Sequence, residues 1–267
     1  MTLVGVGDIE LDYERSGSGP PLLAIMGMSG TALSWGEPFL AQLREDHEVI
    51  VFDHRGIGAS TPLSASVTIA QMADDAAGLL AALQIDSADV LGISMGGMIA
   101  QELALKHPER VRTLTLGCTY CGGEGSSLSS PDVIQRLTEA MMSGDRERAL
   151  RVGWEINVSP AYAADEGAWQ YFLELAHRRA VAVPVVMAQM QACMAHDTHD
   201  RLSGLTAPTL VIHGTEDQML PVANGSLIAE LIPGSKLEVL DGVGHLFFWE
   251  QAEQAAALIR SHAAVAA

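Results

Sequence analysis

The sequence predicts an α/β fold: a mostly parallel β-sheet flanked by helices, with a helical segment inserted into it. Short apolar runs of strand length alternate with longer runs of helix length through residues 1–121, and the alternation resumes over residues 202–267. Between them, residues 122–201 show only helical patterns, interrupted by proline and glycine. We therefore expect one α/β core formed by residues 1–121 and 202–267, and a helical cap or lid formed by residues 122–201.

Six strands are predicted from short runs rich in β-branched and other apolar residues. They cover residues 22–26, 48–53, 88–93, 112–117, 208–213 and 236–240. Helices are predicted at residues 31–44, 68–83, 95–107, 220–231 and 251–262. The helix at 68–83 is typical, because its apolar residues recur at close to helical spacing and form one face toward the sheet. Strands separated by helices are expected to run parallel.

The inserted segment is rich in tryptophan and methionine, most of which we expect in a core between its helices. Those that face the sheet would line an apolar pocket for a small or medium acyl group. Six arginines of this segment are expected on solvated helix faces, although one of them could bind a substrate carboxylate. They are Arg136, Arg146, Arg148, Arg151, Arg178 and Arg179.

The net charge argues against two classes of partner. The 267-residue chain has 33 acidic and 15 basic residues, a formal net charge of −18, and its lysines are Lys106 and Lys236. Proteins that bind nucleic acid or anionic membranes draw much of their affinity from clustered Lys and Arg. We therefore expect no nucleic-acid and no membrane partner but a small-molecule substrate, and the oligomeric state stays open.

Cysteine usage and hydropathy favour a cytoplasmic protein. Cys118, Cys121 and Cys193 are an odd number in a mid-sized chain and do not suggest a disulfide framework. The N-terminus has acidic residues and no basic head before an apolar stretch, unlike a signal peptide. The uncharged run 180–195 is interrupted by polar residues and is shorter than the roughly 20 apolar residues of a membrane span.

The strongest motif is Gly92-Ile93-Ser94-Met95-Gly96, at the junction of a predicted strand and a predicted helix. This is the G-x-S-x-G pattern of a nucleophile elbow in its required context. Glycines flank the serine because the tight turn brings neighbouring backbone too close for side chains. The elbow also points the Met95 N–H, at the positive end of a helix, toward the place where an oxyanion would form. A turn with only a packing role is the alternative.

A serine nucleophile needs a base and a group that orients the base, and both are found further along the chain. Asp217 follows the predicted strand 208–213, and His245 follows the strand 236–240. Both lie on loops at the carboxyl ends of strands, where active sites of α/β sheets gather. Glu216 as the acid, Asp217 as a turn residue and His245 as a surface histidine are the alternatives.

On these motifs the chain resembles the α/β-hydrolase superfamily over nearly its whole length. The segments that carry the resemblance are the elbow at Ser94, His213-Gly214-Thr215-Glu216-Asp217, Gly242-Val243-Gly244-His245 and Asp53-His54-Arg55-Gly56-Ile57-Gly58-Ala59-Ser60. The similarity is greatest to the esterase, enol-lactonase and cofactor-free haloperoxidase branch. It implies Ser94 as nucleophile, His245 as base and Asp217 as its orienting acid, with no cofactor and no metal. It also implies structural roles for Asp53 and Arg55.

The resemblance further implies a second oxyanion donor in the loop after the first central strand. Relatives usually carry His-Gly-x there, and x donates its backbone N–H. This chain has Met26-Gly27-Met28, which makes Met28 the expected donor beside Met95. Because the donor is a backbone group, the chemistry does not need the histidine. Because Met26 stands where relatives have the histidine, the subfamily and the contacts that brace the loop stay open.

Two other clusters are interpreted as structural. Cys118-Thr-Tyr-Cys121 has CxxC spacing, but a zinc site would need two more ligands at matching spacing. His196-Asp197-Thr198-His199-Asp200 lies where the inserted segment returns to the sheet and resembles a polar hinge.

The sequence therefore predicts a serine hydrolase that cleaves carboxylic esters or lactones of small to medium, mainly apolar substrates through an acyl-enzyme. Carbon–carbon bond hydrolysis and a perhydrolase or haloperoxidase-like reaction use the same triad and are the alternatives. A ligand-binding receptor on the same fold is the non-enzymatic alternative. An epoxide hydrolase or haloalkane dehalogenase is disfavoured, because those relatives place Asp at the elbow, where this chain has Ser94.

Overall fold

Eight strands form one sheet across residues 2–266, the part of the chain that the computed structural model describes. They are β1 (Thr2–Val6), β2 (Ile9–Gly17), β3 (Pro21–Ile25), β4 (Glu48–Phe52), β5 (Ala88–Ile93), β6 (Val111–Gly117), β7 (Thr209–Gly214) and β8 (Lys236–Leu240). Their spatial order is β1-β2-β4-β3-β5-β6-β7-β8. The β1–β2 and β2–β4 pairs are antiparallel and the others parallel. The predicted α/β fold with a mostly parallel sheet is thereby confirmed.

Strands β1 and β2 are missing from the sequence-based prediction. They form a hairpin around Gly7, whose φ is +59°, and β2 joins the sheet through its antiparallel pairing with β4. Most of β1 is exposed and β2 carries acidic residues, so the alternation of apolar and polar residues that marks a strand is weak there. Pairing with β4 therefore decides their conformation.

The sheet is joined by helices in every crossover of its parallel part. In chain order the described helices are α1 (Glu37–Leu43), α2 (Ile69–Ala82), α3 (Met95–Lys106), α4 (Pro131–Met142), α5 (Arg146–Asn157), α6 (Pro160–Ala163), α7 (Glu166–Arg178), α8 (Val183–Met194), α9 (Ala223–Leu231), α10 (Phe247–Glu250) and α11 (Ala252–Ala263). Helices α4 to α8 all lie between β6 and β7; we call them the inserted helices. Within residues 2–266, each helix is too short or too polar to traverse a bilayer.

Two predicted helices start later than expected. The predicted helix 31–44 is divided at Gly36, whose φ of +71° interrupts helical geometry between a 3₁₀ turn and α1. Pro38 then lies in the first turn of α1, where a proline is tolerated. The predicted helix 220–231 begins at Ala223, because the preceding segment turns around Asp217.

The core lies on both faces of the sheet. In β3, Leu23 and Ile25 pack with residues of α2 and α3, whereas Leu22 and Ala24 pack with residues of α1, α10 and α11. Strands covered on both faces are apolar along their whole length, which explains the continuous burial of β5. The inserted helices have an aromatic cluster around Trp154, which also contacts Trp249 of α10. This packing fixes the strand ends from which the site loops project.

Candidate active site

Ser94 occupies a strained turn between β5 and α3. Its φ and ψ are +55° and −122°, a left-handed backbone conformation that residues other than glycine rarely adopt. A β-carbon at Gly92 would clash with the Gly96 carbonyl, and one at Gly96 would clash with the Ile25 carbonyl. The two glycines of the motif are therefore required by the close passage of backbone, and the turn has the geometry of a nucleophile elbow.

Asp217 and His245 meet across the ends of β7 and β8. Asp217 Oδ2 lies 2.7 Å from His245 Nδ1, and both side chains are buried. Asp217 Oδ1 accepts the N–H groups of Met219 and Leu220 at 2.9 Å each. The neighbouring Glu216 is exposed. The structure thus brings together the predicted acid and base and leaves the alternative acid outside the pair.

The charge state of Asp217 is set by its surroundings. Burial alone would raise the pKa of this carboxyl, but attraction to His245 and hydrogen bonds from His213 and His245 outweigh burial. The pKa therefore lies well below its ordinary value, and Asp217 is ionised throughout the neutral range. An ionised carboxylate at Nδ1 favours the tautomer of His245 whose other nitrogen, Nε2, can accept a proton.

Cys118, which is interpreted as structural from the sequence, lies between the elbow and this pair. The Ser94 N–H donates to the Gly117 carbonyl at 2.9 Å, and the next residue, Cys118, has its Sγ within 4.8 Å of ligand atoms of Asp217 and His245. Among the described residues, the Ser94 hydroxyl makes no hydrogen bond to His245. Catalytic hydrogen bonds are often long in enzymes without substrate and tighten when it binds.

Cys118, Asp217 and His245 are also grouped closely enough to surround a metal ion. Metal binding needs the thiolate form of cysteine. Burial raises the pKa of the Cys118 thiol well above its ordinary value, and the negative charge of Asp217 raises it further. Cys118 is therefore a neutral thiol, buried beside the Asp217–His245 pair.

The loop after β3 passes directly beside Ser94. A β-carbon at Gly27 would lie 3.1 Å from that of Ser94, so Met28 follows a residue in contact with the elbow. His54 Nε2 donates to the Met26 carbonyl at 2.9 Å. Burial lowers the pKa of His54, and a neutral ring donates through this nitrogen. His54 thus braces the loop in which Met26 replaces the usual histidine.

The segment around His245 is tied to the inserted helices. Glu250 Oε1 accepts the N–H of Gly244 at 2.8 Å and that of Ser159 at 2.9 Å, while Glu250 Oε2 accepts the Ser159 hydroxyl. The Leu246 N–H donates to the Asn157 carbonyl at 2.8 Å. Gly244 is therefore linked to Ser159 through Glu250, and Leu246 is held by the last residue of α5.

Arg179 corrects one expectation. It does not lie on a solvated helix face: its guanidinium forms an ion pair with the fully buried Asp53 and lies 3.3 Å from Asp12. Burial raises the pKa of Asp53, while the N–H of Ala32 and the charge of Arg179 act in the opposite direction. Asp53 thus has the structural role implied by the resemblance, and Arg179 attaches the end of α7 to the sheet.

The polar cluster at the end of the inserted segment makes internal contacts. Thr198 donates to Gln101 Oε1, and the His196 ring lies 3.4 Å from the same oxygen. The Thr198 N–H also donates to the Cys121 carbonyl at 2.8 Å. Each contact joins the cluster to α3 or to the segment after β6.

Comparison with known proteins agrees with this geometry. The α/β-hydrolase fold family matches residues 20–252. The provisionally named carbamate hydrolase RutD of Azorhizobium caulinodans is 31% identical over 245 residues, which cover 90% of this chain and 90% of the relative. Est816, described as an N-acyl homoserine lactone degrading enzyme, is 30% identical with a TM-score of 0.79. The match covers 97% of this chain and 99% of the Est816 chain. The esterase EaEST from Exiguobacterium antarcticum has a TM-score of 0.86 at 25% identity, and the match covers 98% of this chain and 99% of the esterase.

The chain therefore belongs to the α/β-hydrolase family. It is a hydrolase of the α/β type with esterase-like and lactonase-like neighbours, and the predicted resemblance is confirmed at this level.

Proposed function

We propose that the protein is a serine hydrolase that cleaves carboxylic esters or lactones through an acyl-enzyme, with Ser94, His245 and Asp217 as its catalytic triad. The observation that carries the proposal is the buried Asp217–His245 hydrogen bond of 2.7 Å beside a serine on a strained elbow. A serine hydroxyl is a weak nucleophile until an oriented imidazole takes its proton.

In this mechanism Ser94 Oγ attacks the substrate carbonyl carbon while its proton passes to His245 Nε2. The carbonyl oxygen becomes an oxyanion, which the N–H groups of Met28 and Met95 stabilise. The C–O bond then breaks, and the leaving alcohol takes the proton from His245. Water, deprotonated by the same imidazole, attacks the acyl group and restores the serine. Asp217 stabilises the imidazolium in both halves of the reaction.

We further propose that residues 122–201 form a lid that binds the acyl group. Contacts from the inserted helices to Glu250, Asp53 and the Met28 loop support this role. Arg179, engaged by Asp53 and Asp12, is held at the sheet, and the strongly acidic chain disfavours anionic substrates. We therefore assign short to medium neutral acyl groups as substrates.

A serine-directed fluorophosphonate and a substrate panel test the proposal. The wild-type protein should be labelled at Ser94, whereas Ser94→Ala should be unlabelled and lose at least about 10³-fold in kcat. Ser66→Ala, at an exposed serine, is the matched control and should behave as wild type. Across p-nitrophenyl esters, kcat/KM should peak between acetate and hexanoate, because each methylene stabilises the complex only while the pocket has room.

The same panel separates the alternatives. It includes an anionic enol-lactone, a carbon–carbon substrate of the vinylogous diketone type, an amide, and perhydrolysis measured with peroxide. Labelling of Ser94 without ester or lactone turnover, but with cleavage of the diketone, would replace the ester assignment by carbon–carbon hydrolysis. Substantial ester hydrolysis by Ser94→Ala would contradict the triad itself.

A further inference from the structure

The end of β6 and the segment after it hold both backbone groups of Ser94. The Ser94 N–H donates to the Gly117 carbonyl at 2.9 Å, and the Thr119 hydroxyl donates to the Ser94 carbonyl at 2.6 Å. The Thr119 side chain is completely buried. The same carbonyl also accepts N–H groups from the first turn of α3, at 2.9 Å from Gly97 and 3.1 Å from Met98. The peptide units on both sides of Ser94 are therefore fixed by hydrogen bonds.

The Thr119 contact depends on a strained residue and on a glycine. Cys118, between the two residues that hold Ser94, has a left-handed φ of +41°, and such strain persists only where the surrounding structure enforces it. A β-carbon at Gly97, one residue beyond the G-x-S-x-G motif, would lie 2.5 Å from both Cβ and Oγ1 of Thr119. The glycine at this position therefore leaves the space in which the Thr119 hydroxyl reaches Ser94.

The Ser94 carbonyl belongs to the same peptide unit as the Met95 N–H, one of the two proposed oxyanion donors. This unit is trans and planar, so its C=O and N–H groups point in opposite directions. A bond that fixes the oxygen therefore also fixes the direction of the N–H. Met95 is the first residue of α3, so helix geometry provides no intrahelical acceptor for its N–H. A hydrogen bond to the oxygen also polarises the peptide unit, which makes its N–H a stronger donor.

We propose that Thr119 is a positioning residue of the oxyanion hole, whose hydroxyl orients and polarises the Ser94–Met95 peptide unit so that the Met95 N–H binds the oxyanion. The proposal rests on the serine-hydrolase function above. Thr119 acts through the peptide unit and does not contact substrate. Its effect should therefore fall on the transition state, where the oxyanion develops, and not on binding of the uncharged substrate.

Thr119→Ser and Thr119→Ala test the hydroxyl, because both remove the methyl group and they differ in the hydroxyl alone. On p-nitrophenyl butyrate, kcat should be about tenfold lower in Thr119→Ala than in Thr119→Ser, the value of one hydrogen bond. Acylation and deacylation both form an oxyanion, so both should slow and KM should stay nearly unchanged. Thr119→Val, which keeps the volume and lacks the hydroxyl, should match Thr119→Ala.

A pair of inhibitors gives a readout that a loss of stability would not change. Ser94 Oγ adds to the carbonyl carbon of an alkyl trifluoromethyl ketone, its proton passes to His245 Nε2, and the carbonyl oxygen becomes an oxyanion. The corresponding trifluoromethyl alcohol has no carbonyl and forms no oxyanion. The inhibition constant of the ketone should be about tenfold higher for Thr119→Ala than for Thr119→Ser, whereas that of the alcohol should be the same for both.

Thr113, near the opposite end of β6, provides the matched control. Its side chain is also buried, and its hydroxyl donates to Asp89 Oδ1 at 2.7 Å. Thr113→Ala should therefore lower the urea midpoint of unfolding relative to Thr113→Ser, as the same pair does at Thr119. The two Thr113 variants should have the same kcat and the same inhibition constants.

Equal kcat values in Thr119→Ser and Thr119→Ala would overturn the proposal, and so would equal changes in the affinities for ketone and alcohol. Either result would leave Thr119 as a packing contact of the elbow. Failure of the underlying function has a different signature: the wild-type protein would hydrolyse no ester, would not bind the ketone more tightly than the alcohol, and would not react with the fluorophosphonate.

Discussion

Asp217 is held at both carboxylate oxygens, with Oδ2 2.7 Å from Nδ1 of His245 and Oδ1 bonded to two backbone N–H groups. The carboxylate therefore cannot rotate without breaking several hydrogen bonds. The imidazole, bonded at Nδ1, keeps Nε2 free to accept a proton. Orientation and tautomer are thus set before substrate binds.

Asp217→Asn should lower kcat by about 10³ to 10⁴-fold, because an amide N–H facing Nδ1 favours the tautomer whose Nε2 already carries a proton. The measurement is kcat on a saturating p-nitrophenyl ester. Glu216→Gln is the matched control and should keep nearly full activity, since Glu216 is exposed. A larger loss in Glu216→Gln than in Asp217→Asn would assign the acid to the other residue.

Met28 should act through its backbone. Met28→Ala keeps the N–H and should retain most of kcat, whereas Met28→Pro deletes the donor and should cost about 10²-fold or more. Near-ultraviolet circular dichroism of both variants checks that the loop and core stay folded. Equally large losses in the two variants would show that the side chain is needed instead.

Glu250 should position His245 without touching substrate. Glu250→Ala leaves the N–H groups of Gly244 and Ser159 without their acceptor, so it should lower the free energy of unfolding by about 1–3 kcal/mol and reduce kcat. Glu250→Gln keeps an acceptor oxygen and should restore most of both. Chemical denaturation and steady-state kinetics measure the two effects. If Glu250→Gln were as impaired as Glu250→Ala, the negative charge would matter more than the hydrogen bonds.

His196 should make the fold sensitive to mild acid. Burial lowers the pKa of His196 from 6.5 to about 4, with Arg201 acting in the same direction and Glu102 and Asp197 against it. Between these pH values the unfolded chain binds a proton that the folded protein does not. Stability is therefore lost as the pH falls below 6.5, by at most about 1.4 kcal/mol per pH unit from this group.

Urea unfolding of His196→Gln at about pH 7.5 and about pH 5 measures the contribution. The variant should lose less stability than wild type between the two values. His177→Gln, at an exposed histidine, is the control and should follow wild type. The same loss in all three proteins would assign the acid sensitivity to other groups.

The cysteines should be inert in the folded protein. Burial raises the pKa of Cys118, Cys121 and Cys193, the last to about 12, so that little thiolate is present near neutral pH. A chromogenic disulfide should react slowly with the native protein, should not inhibit it, and should titrate three thiols after unfolding. Rapid loss of activity with one equivalent would point to Cys118, which lies beside the Asp217–His245 pair.

The parallel core, the elbow and the loops that carry Asp217 and His245 could be predicted from the amino-acid sequence alone. These features are encoded locally: apolar periodicity defines the elements, glycine spacing defines the turn at Ser94, and parallel strands bring their carboxyl ends to one edge. The hairpin β1–β2 escaped prediction because its exposed edge strand carries little periodic signal. The late start of α1 depends on Gly36 and its positive φ.

The side chains that surround these residues could not be predicted from the sequence, because they come from distant parts of the chain. Gln189 meets Ser29 across 160 residues, Arg179 meets Asp53 across 126, and Ser159 meets Glu250 across 91. For the Gln189–Ser29 contact, the sequence offers one indication, a glutamine among the apolar residues of α8. It does not indicate which residue the glutamine contacts. Such pairs follow from the docking of the inserted helices on the sheet. Helical periodicity tells which face of an element is buried, but packing across the whole chain decides which residue it meets.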